Sequence, residues 1–114
     1  MAEVMNVVGN VQGRSCLIVD DMCDTGGSLT KVAKALKENG AERIHACFTH
    51  PVLSGRAVEQ LDASDIEQIV VTNTIPLSEK ARELNNIKVL SIAPLLAKAI
   101  KSIHEETSVS SLFV

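Results

Sequence analysis

The chain has no tryptophan, no tyrosine and only two phenylalanines in 114 residues. Its core must therefore be aliphatic. It also has no basic excess: 14 Asp and Glu stand against 11 Lys and Arg, a net charge of −3. That balance argues against a nucleic-acid partner held by general electrostatics. No apolar run reaches the roughly 18 residues of a spanning helix, and no signal peptide or lipidation signal is present. A soluble, cytoplasmic protein with no membrane partner is expected. The three cysteines, Cys16, Cys23 and Cys47, are an odd count without metal-ligand spacing, and no His-Cys-Asp spacing suggests a zinc site. There is no internal repeat, low-complexity tract or linker. One domain is the natural reading of this length. A 46% hydrophobic fraction can supply its core, although so small a domain buries a lower share of its surface than a larger one.

What is present is organised around residues 16–28, Cys-Leu-Ile-Val-Asp-Asp-Met-Cys-Asp-Thr-Gly-Gly-Ser. The apolar run at its start reads as a buried parallel strand. Leu29, Val32, Ala33 and Leu36 then recur at i, i+3, i+4 and i+7, the stripe of an amphipathic helix. Between strand and helix, Gly26 and Gly27 permit positive φ and a close approach by a ligand. Successive amides in such a turn, backed by a helix N-terminus, form a nest for an anion. The amides of residues 24–28 and the hydroxyls of Thr25 and Ser28 can hold a phosphate. Asp20 and Asp21 repel an anion unless they serve something else. Two uses fit: accepting hydrogen bonds from sugar hydroxyls, or holding Mg²⁺ through oxygen or water. A sugar phosphate suits both halves of the stretch.

The rest of the chain alternates strand and helix patterns. Val4 to Val8 reads as a β run, and with Gly9-Asn10 and Gln12-Gly13 as turn signals it predicts a β-hairpin arm. The first helix is expected over 27–39, with Gly40 in the left-handed position after it. Strands follow at 43–48, 67–72 and 87–92. Ser54 reads as the N-cap of a helix through Leu61. Ser78 reads as the cap of another through Leu84, with Glu79 favouring its dipole. Pro94 opens a last helix striped by Leu96, Ala99, Ile100 and Ile103. The alternation implies an α/β fold, a mainly parallel sheet with helices on both faces.

Other residues carry two readings each. His50 follows the second strand, at the sheet end where ligands bind, and reads as a general base or as a structural loop histidine. His45 lies within a strand and reads as structural or exposed. Thr72, Asn73 and Thr74 reach the same sheet edge, either as part of a sugar-phosphate site or as ordinary strand-end caps. Cys16 and Cys47 read as small core residues. Cys23 sits in the site loop, either as a reactive thiol or as a small loop residue; reactivity needs a lowered pKa.

Residues 19–28, Val-Asp-Asp-Met-Cys-Asp-Thr-Gly-Gly-Ser, resemble the phosphoribosyl-binding motif of the type I phosphoribosyltransferase fold. Residues 3–9, 49–55, 71–77 and 108–113 extend the likeness to one family of that fold, the ribose-phosphate pyrophosphokinases. The similarity covers essentially the whole chain. The resemblance implies a phosphoribosyltransferase-like domain spanning 1–114, incomplete at its N-terminus, that corresponds to the C-terminal part of a two-domain enzyme. That enzyme transfers a diphosphoryl group from Mg-ATP to the 1-hydroxyl of ribose 5-phosphate. Asp20 and Asp21 are then expected to contact ribose hydroxyls or Mg²⁺-bound water. Asp24, Thr25, Gly26, Gly27 and Ser28 are expected to cradle the 5-phosphate. The resemblance implies that Ser108 and Ser110 in the tail bind a regulatory phosphate; the tail equally reads as a solvated terminus anchored by Phe113.

The resemblance places the ATP-binding half, a mobile basic loop and a pyrophosphate-binding loop outside this chain, so no catalytic residue is expected within it. The implied partners are ribose 5-phosphate, ATP in the full enzyme, phosphate or ADP as effectors, and further copies in a homo-oligomer; the implied cofactor is Mg²⁺. Two alternatives stand beside this reading. One is a phosphoribosyltransferase that consumes phosphoribosyl pyrophosphate, against which the absence of a recognisable base-binding hood counts. The other is a non-catalytic, synthetase-associated regulatory subunit.

Overall fold

Four short runs rich in Ile and Val supply the strands, as expected of residues that suit a pleated, buried surface. The structure is a computed structural model and describes residues 6–113. In chain order the elements are β1 (Ser15–Cys23), α1 (Gly27–Glu38), β2 (Arg43–Pro51), α2 (Ala57–Asp62), β3 (Gln68–Thr72), α3 (Glu79–Arg82), β4 (Ile87–Leu90) and α4 (Ala93–His104). A 3₁₀ turn over Ser110–Phe113 follows. All strand pairs are parallel, and the sheet order is β1-β2-β3-β4.

The register sorts the side chains into two faces. Ile18, Ala46, Ile69 and Ile87 form one row across the sheet, and Asp20, Phe48, Val71 and Val89 the next on the same side. Ile44, Ala46, Phe48, Ile69 and Val71 are buried there against Leu29 and Ala33 of α1 and Leu61 of α2. The aliphatic core expected from the composition is thus present, with Phe48 its aromatic member. On the other side, Val19, Cys47, Val70 and Lys88 form a row. Leu17, Val19 and Leu90 are exposed there.

Helices were expected on both faces; among the described residues the packed core lies on one. The reason is the strand order. Parallel crossovers run right-handed. When successive strands are laid side by side in sequence, every right-handed crossover returns over the same face. Coverage of both faces needs a reversal of strand order, and this sheet has none.

The expected hairpin arm lies partly outside the described residues. Val4 and Met5 lie outside the described residues, and residues 6–14 form no strand. Val8 is almost wholly exposed, with no pairing strand beside it among the described residues. The turn signals themselves hold: Gly9 and Gly13 have φ of 100° and 70°. The Gly13 amide donates to the Gly40 carbonyl at 2.8 Å, which ties this segment to the end of α1. Gly40 takes φ 93°, the left-handed position expected of it.

Boundaries shift where tertiary pairing overrides local pattern. β1 and β2 run on to Cys23 and Pro51 because Met22 pairs with His50 and Cys23 with Pro51. α2 starts at Ala57, not after Ser54, because Leu53 and Gly55 sit at φ 48° and 58°. Ser78 caps α3 as expected, accepting the Ala81 amide at 3.1 Å.

Ile44 is fully buried at the centre of this core. Ile44→Ala should cost about 2–5 kcal/mol of unfolding free energy, and Val8→Ala at its exposed site less than about 0.5 kcal/mol. Urea denaturation followed by circular dichroism measures both. Equal, small losses would show that the face packed by α1 and α2 is not the core.

Candidate functional site

The site grows from the junction of β1 and α1. The strand brings residues 20–23 to the carboxyl end of the sheet, residues 24–26 turn, and α1 begins at Gly27. Gly26 is the N-cap residue, at φ 85°, and no side chain caps the helix. A Cβ on Gly26 would meet the Ala57 Cα at 3.5 Å and Gln60 Oε1 at 3.6 Å. Those are ordinary contact distances, so glycine is favoured there by its φ and not by lack of space. Gly27 differs. Its backbone is helical, and a Cβ would meet only Thr25 Oγ1 at 3.9 Å, so space is open above it. The first amides of α1 have no intrahelical acceptor and face outward as free donors. Thr30 Oγ1 ties the turn down, donating to the carbonyls of Gly26 and Gly27 at 2.9 and 3.1 Å.

The structure brings the predicted residues Asp20, Asp21, Asp24, Thr25, Gly26 and Ser28 together in one cleft of about 360 Å³. Asp20 and Asp21 lie within β1, whose alternation sends them to opposite sides. Each carboxylate accepts the following amide at 2.8 Å, Asp20 Oδ1 from Asp21 and Asp21 Oδ1 from Met22. The second oxygen of each has no hydrogen bond among the described residues and can accept from a ligand hydroxyl or a water. The cleft is lined by three carboxylates and by no lysine or arginine. Its attraction for an anion therefore comes from backbone amides and the hydroxyls of Thr25 and Ser28.

Sequence reasoning missed Ser54. It was read as a helix cap, but its hydroxyl donates to Asp24 Oδ1 and its amide to the Asp24 carbonyl at 2.8 Å. The neighbouring Leu53 amide donates to the Cys23 carbonyl at 3.0 Å. The loop after β2 thus braces the phosphate-nest candidate from the side. The Asp24 carboxylate is occupied by this brace, leaving its amide as its contribution to an anion. No local signal marks Ser54, because the contact depends on β2 lying beside β1.

The remaining candidates fall outside the cleft lining. His50 Nδ1 is 2.9 Å from Thr74 Oγ1, a structural partner for a loop histidine. Thr72 Oγ1 donates to the Thr49 carbonyl at 2.7 Å, and Asn73 Oδ1 accepts the Ile92 amide at 2.9 Å. Both hold strand ends together. His45 pairs with Glu67 at 3.5 Å on the surface. Ser108 and Ser110 are exposed, with their hydroxyls 2.7 Å apart. Among the described residues no cluster of three or more His, Cys, Asp or Glu could hold a metal ion directly. No helix among them is long and apolar enough to cross a membrane.

Cys23 is buried beneath the cleft floor. Its thiol is pushed up to about 11, first by burial and then by the charges of Asp20 and Asp24, against a backbone hydrogen bond at Gly26 that lowers it. Burial and these charges both disfavour the thiolate, so Cys23 reads as a small buried residue and not as a nucleophile. Iodoacetamide at pH 8 should modify the half-buried Cys47 well before Cys23, as mass spectrometry of the digested protein can determine. Preferential modification of Cys23 in the folded chain would restore the reactive-thiol reading.

Comparison with known proteins shows the family of the chain. The family model for the phosphoribosyl synthetase-associated domain matches residues 2–114. Ribose-phosphate pyrophosphokinases of Chromobacterium violaceum, Listeria ivanovii and Bacillus subtilis are 56%, 53% and 52% identical to the chain over 113 residues. Each alignment covers 99% of this chain and 35% of the relative. The chain thus spans about a third of the length of these relatives. The crystal structure of phosphoribosylpyrophosphate synthetase from Mycobacterium smegmatis superposes with a TM-score of 0.82 at 40% identity, over 87% of this chain and 33% of that one. With its four-stranded parallel sheet and its acid-rich cleft at the end of β1, the chain belongs to the phosphoribosyl synthetase-associated domain family.

Proposed function

We propose that this chain is the ribose-5-phosphate-binding, C-terminal part of a ribose-phosphate pyrophosphokinase, with a type I phosphoribosyltransferase fold, and that it has no synthetase activity on its own. The observation that carries the reading is the cleft over residues 20–28, in which two acids with free oxygens stand beside an uncapped helix N-terminus. The phosphate end of ribose 5-phosphate takes the amides of residues 24–28 and the hydroxyls of Thr25 and Ser28. The sugar end takes the free oxygens of Asp20 and Asp21, which accept from its hydroxyls.

The same two oxygens fit Mg²⁺ held through water, since magnesium keeps several waters and takes one or two carboxylates. When bound, the ion supplies the positive charge that the lining lacks. The parent reaction moves the diphosphoryl group of ATP onto the 1-hydroxyl of the sugar. This chain contributes to it by fixing the sugar at its 5-phosphate and its ring hydroxyls. ATP is held by parts of the parent enzyme beyond this chain. Ser108 and Ser110 are proposed to take the phosphate of an effector, inorganic phosphate or ADP.

Titration calorimetry with ribose 5-phosphate and Mg²⁺ tests the cleft. Asp20→Asn and Asp21→Asn should each weaken binding about ten- to a hundredfold, the value of a charge-assisted hydrogen bond, with little change in melting temperature. Gly27→Val should also weaken binding, because its side chain enters the open space over the helix start. Unchanged affinity in folded variants removes the sugar phosphate from this cleft.

A coupled assay for AMP release from Mg-ATP and ribose 5-phosphate tests the second half of the proposal. Catalysis of this transfer comes from holding both reactants in line with their charge neutralised. The chain alone should release no AMP above background. Turnover near that of a full-length synthetase, free of host enzyme, would place the ATP site within residues 1–114.

A further inference from the structure

Helix α1 has an acid two residues ahead of its N-cap, and yet no side chain caps it. Asp is among the residues that most readily accept the free amides of a first turn. Such side chains bond to backbone amides two or three residues ahead. From Asp24 those amides belong to Gly26 and Gly27. The Gly26 amide is bonded to Cys23. That of Gly27 belongs to a residue with open space above it, where an added Cβ would meet only Thr25 Oγ1 at 3.9 Å. The local preference of the sequence is therefore for Asp24 to fill its own nest with a carboxylate.

Ser54 takes that carboxylate instead. Its hydroxyl donates to Asp24 Oδ1, a charge-assisted bond and so stronger than a neutral one. The backbone delivers this hydroxyl and does not depend on it. The Ser54 amide donates to the Asp24 carbonyl at 2.8 Å and the Leu53 amide to the Cys23 carbonyl at 3.0 Å. The Ala57 amide donates to the Ser54 carbonyl at 3.1 Å. Leu53 and Gly55, on either side, sit at φ 48° and 58°, so the loop makes two left-handed steps around Ser54. These backbone bonds persist without the side chain. What the hydroxyl adds is the direction of one carboxylate.

We propose that Ser54 is a positioning residue, which keeps the Asp24 carboxylate off the first amides of α1 and so leaves them to a phosphate. The choice of ligand rests on the sugar-phosphate reading of the cleft; the exchange of partners at Asp24 does not. The cleft is lined by three carboxylates and by no lysine or arginine. With no cation to displace Asp24, an anion reaches the amides only if the nearest acid is tied elsewhere. Once released, that acid competes at the high effective concentration of an intramolecular group.

Amide exchange with water, measured by NMR on the whole chain without ligand, tests the proposal. In Ser54→Ala the Gly27 amide should exchange more slowly than in the wild type, because Asp24 now holds it. The melting temperature should not fall, since the cap gained offsets the bond lost. Calorimetry should show ribose 5-phosphate affinity reduced about two- to thirtyfold, the value of a helix cap. Ser54→Thr keeps the hydroxyl and should behave as the wild type in both measurements. Asp24→Ala added to Ser54→Ala should recover most of the lost affinity. Ser54→Cys, close in shape but a weak donor, repeats the test if alanine disturbs the loop. Gly27 exchange that is unchanged or faster in the folded variant overturns the proposal, as does a loss of affinity that Asp24→Ala does not recover. A wild-type chain that binds no ribose 5-phosphate removes the sugar-phosphate reading alone, and the exchange rates, which need no ligand, still decide the role of Ser54.

Discussion

The site depends on one backbone conformation, the left-handed turn at Gly26. At φ 85° the chain leaves β1 and enters α1 in three residues. Any side chain there would cost about 1–2 kcal/mol for the conformation. The same turn leaves the first amides of α1 pointing outward with no cap. Strand, cleft and helix direction thus follow from one dihedral angle. Leu53, at φ 48°, accepts a similar cost without being glycine. The compensation is visible: its amide and that of Ser54 hold the carbonyls of Cys23 and Asp24. A strained loop therefore stiffens the turn from outside, and the turn need not rely on its own short-range bonds.

Sequential strand order is the second constraint. It puts β1, the strand that carries the site, at an edge of the described sheet, and it gathers the crossover helices on one face. Both consequences leave β1 half-covered. Leu17 and Val19 are exposed although they lie in an apolar run, while Cys16 and Ile18, one residue away, pack against the core. A continuous apolar strand is the pattern of burial on both faces. The residues are those of a covered strand, and the structure covers one side of it.

Much of this was legible because the pattern is local. Gly40 after α1, Ser78 before α3 and the apolar stripe of α1 each act within four residues, and each took its expected place. The phosphate-nest candidate was legible for the same reason, since strand, glycines and helix are contiguous. What was not legible depends on neighbours far along the chain. Ser54 has the sequence context of a helix cap and the structural role of a brace, because β2 ends beside β1. The face covered by helices depends on strand order, and alternation alone carries no information about order. Val8 has strand propensity, but without a partner among the described residues that propensity yields no strand.

The charge of the cleft decides what kind of binder it can be. Asp20, Asp21 and Asp24 put three negative charges around the proposed anion nest, and no basic side chain lines it. One of the three is committed to Ser54, so its charge is partly offset by that hydroxyl. The other two keep a free oxygen each in a solvent-accessible position. Backbone amides carry partial charges that are strongest in the first turn and fall off beyond it. They can orient a phosphate, but they cannot cancel two carboxylates over the length of a sugar. A ligand with hydroxyls at one end and phosphate at the other resolves the conflict by position, since hydroxyls donate where the carboxylates accept. A divalent cation resolves it by charge. In the proposed reading the amides set where the phosphate sits, and the acids then select what can be attached to it.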